Sequence, residues 1–166
     1  MKNKKRVLSI LFTLVVIGIF TISPVVAKNP GKVESWRAQG GGVIYEVNNG
    51  HKVTFGFSVR ANALGDVWGQ LHAVDHQDKI VVHCSITTFP GLVGTIDPET
   101  GMGWMWGYCT VNGIDGYILE LGFRDYRENP ASDTDYIVLK IYDDSSNVIY
   151  EWYDELKSGN IIVEKP

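Results

Sequence analysis

Through most of the chain, apolar residues recur at every second position rather than every third or fourth, the spacing of a strand buried on one face. The alternation predicts strands over Lys52–Arg60, Val67–Val74, Ile80–Phe89, Gly103–Val111, Tyr117–Arg124, Tyr136–Tyr142, Val148–Trp152 and Ile161–Glu164, with an opener at Val43–Val47. These runs are rich in Val, Ile, Tyr, Phe, Trp and Thr. Turn-forming residues separate them: Asn48-Asn49-Gly50, Asn112-Gly113, and Asp143 through Asn147. One helical turn is expected near Tyr153–Lys157, and Lys28–Gly42 reads as a linker. Short spacers favour sequential antiparallel pairing, and about nine such strands bury an apolar face only by closing on themselves or stacking as two sheets. The expected fold is therefore all-β, an antiparallel β-barrel or β-sandwich over residues 43–166. Gly56, Gly69, Gly107 and Gly122 sit inside strand runs, where glycine marks a bend or a close backbone approach, and they tilt the expectation toward a strongly coiled barrel.

The N-terminus breaks this pattern. Lys2, Lys4, Lys5 and Arg6 precede an uncharged stretch from Val7 to Ala27 that closes in Val25-Val26-Ala27. A basic segment, an apolar segment and small residues at the end read as a secretory signal over residues 1–27, so the domain is expected outside the cytoplasm. If uncleaved, that segment would be the chain's only contact with a membrane. Composition changes the picture once the segment is set aside: its four basic residues leave 11 of the 15 Lys and Arg against all 19 Asp and Glu, a net charge of about −8. Such a field repels phosphate backbones, which excludes a nucleic-acid partner and leaves cations, neutral glycans, and basic or other cell-surface partners.

Both cysteines, Cys84 and Cys109, fall in the exported part. One disulfide is expected there, closing a loop of about 25 residues.

The order Gly40-Gly41-Gly42, Val53-Thr54-Phe55-Gly56-Phe57-Ser58-Val59, and Gly69-Gln70-Leu71-His72-Ala73-Val74-Asp75-His76 resembles the opening of the post-COAP-1 type domain of exported bacterial and archaeal proteins. Gly107, Thr110-Val111-Asn112-Gly113, Asp135 through Ile141, Tyr150, Leu156 and Gly159-Asn160-Ile161 follow in the same order. The resemblance implies an all-β extracellular module, often attached to larger surface proteins, with no assigned activity. The chain departs from the pattern in the loop after Asp125, which lacks the usual glycines, and at Cys109, where a small residue is common.

Three groups of residues carry candidate chemistry, and catalysis is a fourth question. Trp104, Trp106 and Tyr108 alternate, so they share one sheet face at a spacing of about 6.8 Å. Facing outward they form a stacking platform for sugar rings; facing inward they are core. His72, His76 and His83 form a second group. A hairpin turning at Gln77-Asp78 would place His72 opposite His83, close enough for joint metal ligation or simply for a solvated or hydrogen-bonded pair. His72 and His76 are about 13 Å apart along a strand and do not share an ion. Third, Asp125, Glu128, Asp133 and Asp135 crowd one loop whose oxygens suit Ca²⁺, the one candidate cofactor, or simply shape the turn. Fourth, no nucleophile elbow, zinc-protease motif, phosphate loop or dinucleotide fingerprint occurs; Gly56-Phe57-Ser58-Val59-Arg60 fails at its last position. The expectation is a non-enzymatic surface or adhesion-type binding module. A carrier holding a small ligand inside the barrel, or a hydrolase without a local motif, is the alternative.

Overall fold

The structure, a computed structural model, describes residues 34–46, 49–126 and 134–165. The signal segment and the first part of the expected linker lie outside the described residues. Ten antiparallel strands follow one another: β1 Ser35–Tyr45, β2 Lys52–Asn62, β3 Val67–Asp75, β4 Ile80–Thr87, β5 Thr95–Asp97, β6 Met102–Val111, β7 Ile114–Arg124, β8 Tyr136–Tyr142, β9 Val148–Glu155 and β10 Ser158–Glu164. They form one sheet in the order β10-β1-β2-β3-β4-β6-β7-β8-β9, with β5 extending the β4 flank of β6. The expected choice between barrel and sandwich resolves to a single, strongly curled half-barrel sheet.

Alternation decides which face turns inward. In β2, Val53, Phe55, Phe57, Val59 and Ala61 are buried while their neighbours are half-buried or exposed. From the other strands Met105, Leu119, Leu121, Leu139 and Ile141 enter the same core, each fully buried. Phe57 stacks on Phe123 at 5.0 Å between ring centroids and bridges the interior from β2 to β7. Burial of each such side chain contributes roughly 1.5–3 kcal/mol, the term that closes the sheet around them.

Curling to this radius brings backbones together on the inner face. A Cβ at Gly69 would lie 2.3 Å from the Ser58 carbonyl, and one at Gly107 2.7 Å from that of Ser85. Only glycine fits these two bends. Turn residues act as the sequence suggests. Asn112 and Gly113 take φ of 50° and 79°, the pair of positive values a tight two-residue hairpin turn requires. The Asp143 carboxylate accepts the N–H groups of Ser145 and Asn147 at 3.0 and 2.8 Å, closing β8 onto β9.

Two expectations are corrected and one strand is added. The stretch Ser35–Gly42, read as linker, is most of β1, because Gly40 and Gly42 make room for β10: a Cβ on Gly42 would lie 2.3 Å from the Ser158 carbonyl. The helical turn at Tyr153–Lys157 is instead the end of β9 and a tight turn, in which Leu156 N–H donates to Asp135 O at 2.7 Å and Lys157 N–H to Val43 O at 2.8 Å. Strand β5 was not anticipated, since three residues are too few to show an alternation.

Candidate functional site

The disulfide sets the geometry of the candidate site. Cys84 of β4 and Cys109 of β6 stand directly opposite one another, are joined, and face the interior. Counting back from Cys109, Gly107, Met105 and Gly103 also point inward, so Trp104, Trp106 and Tyr108 point outward. The aromatic row is thus on the outer face.

Each ring of the row has a different setting. Gly122 lies opposite Trp104, and a Cβ there would be 2.3 Å from the indole, so the ring lies flat over the glycine. Trp106 faces Glu120, beyond which Lys140 and Glu151 form a 3.0 Å ion pair on the same outer surface. Glu120 also accepts a hydrogen bond from the Tyr142 hydroxyl. Burial and that bond push the Tyr142 phenol up to about 12. Tyr108 is 56% exposed and packs against Phe89 at 4.7 Å. Trp68, which the sequence leaves unplaced, is also outward, whereas Trp36 is half-buried and packs against the core.

The row leads into an open groove of about 870 Å³ on the outer face, to which Tyr108 itself contributes. Outward side chains of β2, β3, β4 and β6 line it: Ser58, Gln70, His72, His83, Ser85 and Thr110. Gly56 keeps one side low, and Asp115 and Gly116 bound the other. His72 stands opposite His83 in the anticipated register, with ring centroids 4.4 Å apart. Partial burial, and then the neighbouring His83, hold the His72 imidazole below its ordinary pKa. His76 does not join the pair; its Nε2 hydrogen-bonds Thr54 Oγ1 at 3.0 Å.

Of the acidic loop, Glu128 and Asp133 lie outside the described residues. Asp125 and Asp135 have a structural task. Asp125 Oδ2 accepts Val163 N–H at 2.9 Å, and Asp135 Oδ2 accepts Ile161 N–H at 2.6 Å. Both donors are in β10, whose ladder partner is β1, so these carboxylates serve its opposite edge and join it to the ends of β7 and β8. The oxygens considered for Ca²⁺ stand in for the missing neighbouring strand.

Sequence reasoning passed over a further cluster. Glu46, His51 and Asp75 each present a ligand atom within 4.8 Å of the others. His51 Nδ1 lies 3.1 Å from Asp75 Oδ2 and 3.6 Å from Asp78 Oδ2. The hydrogen bond to Asp75 raises the His51 pKa. Asp75 would be raised by its own burial, but N–H donors from Asp78 and Gln77 and the His51 ring outweigh this, and its carboxyl is held below the usual range. The signal was an aspartate at an inward-facing strand position, where a carboxylate is not left without partners.

Compared with known proteins, the chain matches no family model, no curated protein and no solved structure.

Proposed function

We propose that the protein is an exported, non-enzymatic binding module of the surface or adhesion type, and that Trp104, Trp106, Tyr108 and the adjoining groove contact its ligand. The observation that carries this reading is the outward orientation of a row of three aromatic residues. Flat rings held on a rigid strand give stacking area at little cost in side-chain entropy, and polar groups beside them orient what stacks. Ser58, Gln70, Ser85 and Thr110 supply hydroxyl and amide groups, which suits a neutral saccharide better than an ionic ligand. A net charge near −8 after the basic N-terminal segment agrees with a neutral partner.

Two further observations support parts of the reading. The disulfide accords with an oxidising compartment and hence with export. Phe57, Phe123, Met105 and Trp152 fill the interior, which favours a ligand held outside the sheet over one carried within it. The all-β extracellular module implied by the post-COAP-1 resemblance, itself without an assigned activity, agrees with this reading.

A glycan array probed with the purified protein tests the proposal. Retention of a saccharide that Trp106→Ala and Tyr108→Ala each weaken at least tenfold is the expected result. Turnover of a polysaccharide, ester or peptide, lost when one acidic or His residue is changed without unfolding, would overturn the non-enzymatic reading. Iodide should quench the tryptophan fluorescence strongly if the row is free to bind, and bound saccharide should protect it.

A further inference from the structure

We propose that Glu46, His51 and Asp75 form a binding site for a divalent transition-metal ion of the zinc class where the end of β1, the start of β2 and the end of β3 meet. Three chain segments meet there. Glu46 follows β1, His51 precedes β2, and their turn is held by Glu46 N–H to His51 O at 2.9 Å and Gly50 N–H to Glu46 O at 2.7 Å. Asp75 ends β3 directly opposite Val53 of β2, where His76 N–H donates to Lys52 O at 3.1 Å.

The spacing of the donor atoms carries the argument. An ion with four ligands at 2.0–2.1 Å separates those ligands by roughly 3.3 Å. His51 Nδ1 stands 3.1 Å from Asp75 Oδ2 and 3.6 Å from Asp78 Oδ2, while the atoms of Glu46, His51 and Asp75 all fall within 4.8 Å. The two separations from His51 Nδ1 thus bracket the value such an ion sets.

A second observation is independent of that spacing. Asp75 has a side chain only 3% exposed, and its two oxygens are used differently. Oδ1 is fixed by the N–H groups of Gln77 at 2.8 Å and Asp78 at 3.1 Å, so Oδ2 is held in one direction, toward His51. Ligands held this way by outer partners are the ones that bind metal without paying to become ordered. Three carboxylates also surround one imidazole. The imidazole nitrogen selects for zinc-class ions over Ca²⁺ and Mg²⁺, which take all-oxygen sets.

Bound metal would fasten the β1–β2 turn to the β3–β4 turn. The test is calorimetric titration of the metal-stripped protein with Zn²⁺ at pH 7.5, repeated with Ca²⁺. Uptake of one Zn²⁺ per chain, weakened at least tenfold by His51→Ala and by Glu46→Gln but not by His72→Ala, is expected, with Ca²⁺ at least a hundredfold weaker. Both informative variants alter side chains at a partly exposed turn, and unchanged melting of the metal-free variants confirms that they fold. Absence of Zn²⁺ uptake, binding that survives His51→Ala, or binding lost in His72→Ala instead would each overturn the assignment.

Discussion

Trp104 and Trp152 show how one residue type serves two purposes in the same sheet. Trp152 points inward, is 2% exposed and stacks on Tyr150 at 5.6 Å. Trp104 points outward over Gly122. Trp152→Ala is therefore expected to cost about 3–5 kcal/mol in denaturant unfolding, as truncation of a buried aromatic does. Trp104→Ala should cost clearly less and act on ligand retention instead. Equal losses would show that the outer row supports the fold rather than a ligand. Gly122→Ala offers a finer probe, since its Cβ would fall 2.3 Å from the Trp104 ring. The indole must swing away, at a cost of about 1–3 kcal/mol for overpacking. A shifted Trp emission and weaker saccharide retention should accompany it.

At the scale of elements, two devices hold strands that the ladder alone leaves loosely tied. The Cys84–Cys109 bridge joins β4 to β6 across the place where the chain leaves to form β5, a sequence separation of 25. Reduction should lower stability by about 3 kcal/mol in guanidinium unfolding, and the unreduced, unfolded protein should take up no alkylating reagent. Asp135 is the second device. Its carboxylate accepts Tyr126 N–H at 3.1 Å and Ile161 N–H at 2.6 Å. Asp135→Ala leaves these donors without their partner and should cost about 1–3 kcal/mol for each that stays buried, with faster hydrogen exchange at Ile161. Asp135→Asn keeps one acceptor oxygen and should restore part of the loss. An unchanged exchange rate at Ile161 in Asp135→Ala would remove Asp135 from the account of how β10 is held. The acidic loop had the right composition for an ion, and its sequence could not reveal that two of its carboxylates meet strand amides 26 and 38 residues away.

For the whole molecule, one response to pH runs through the groove. The His72 pKa is lowered in the folded state, so below its ordinary value the unfolded chain binds a proton that the folded chain resists. Stability tied to His72 is intact at neutral pH and falls as pH drops from about 6.5 toward the lowered folded value. Thermal melts between pH 7.5 and 5 should show a smaller loss for His72→Gln than for the native protein; parallel curves would remove His72 from the account. The opposition of His72 and His83 was legible in the sequence, because a short turn at Gln77-Asp78 fixes a hairpin's register and register fixes the pairs. So were the all-β class, most strand positions and the sharing of one face by Trp104, Trp106 and Tyr108, since each depends only on a two-residue period and local turn chemistry. Which face that was depended on residues far apart: the inward bridge from Cys84 and the packing of Met105 turned the row outward. The seam at Asp125 and Asp135, the strand built on Gly40–Gly42, and the cluster of Glu46, His51 and Asp75 were likewise decided by tertiary structure alone. Each joins segments distant along the chain, and their partners are chosen by curvature and packing, which no local pattern encodes.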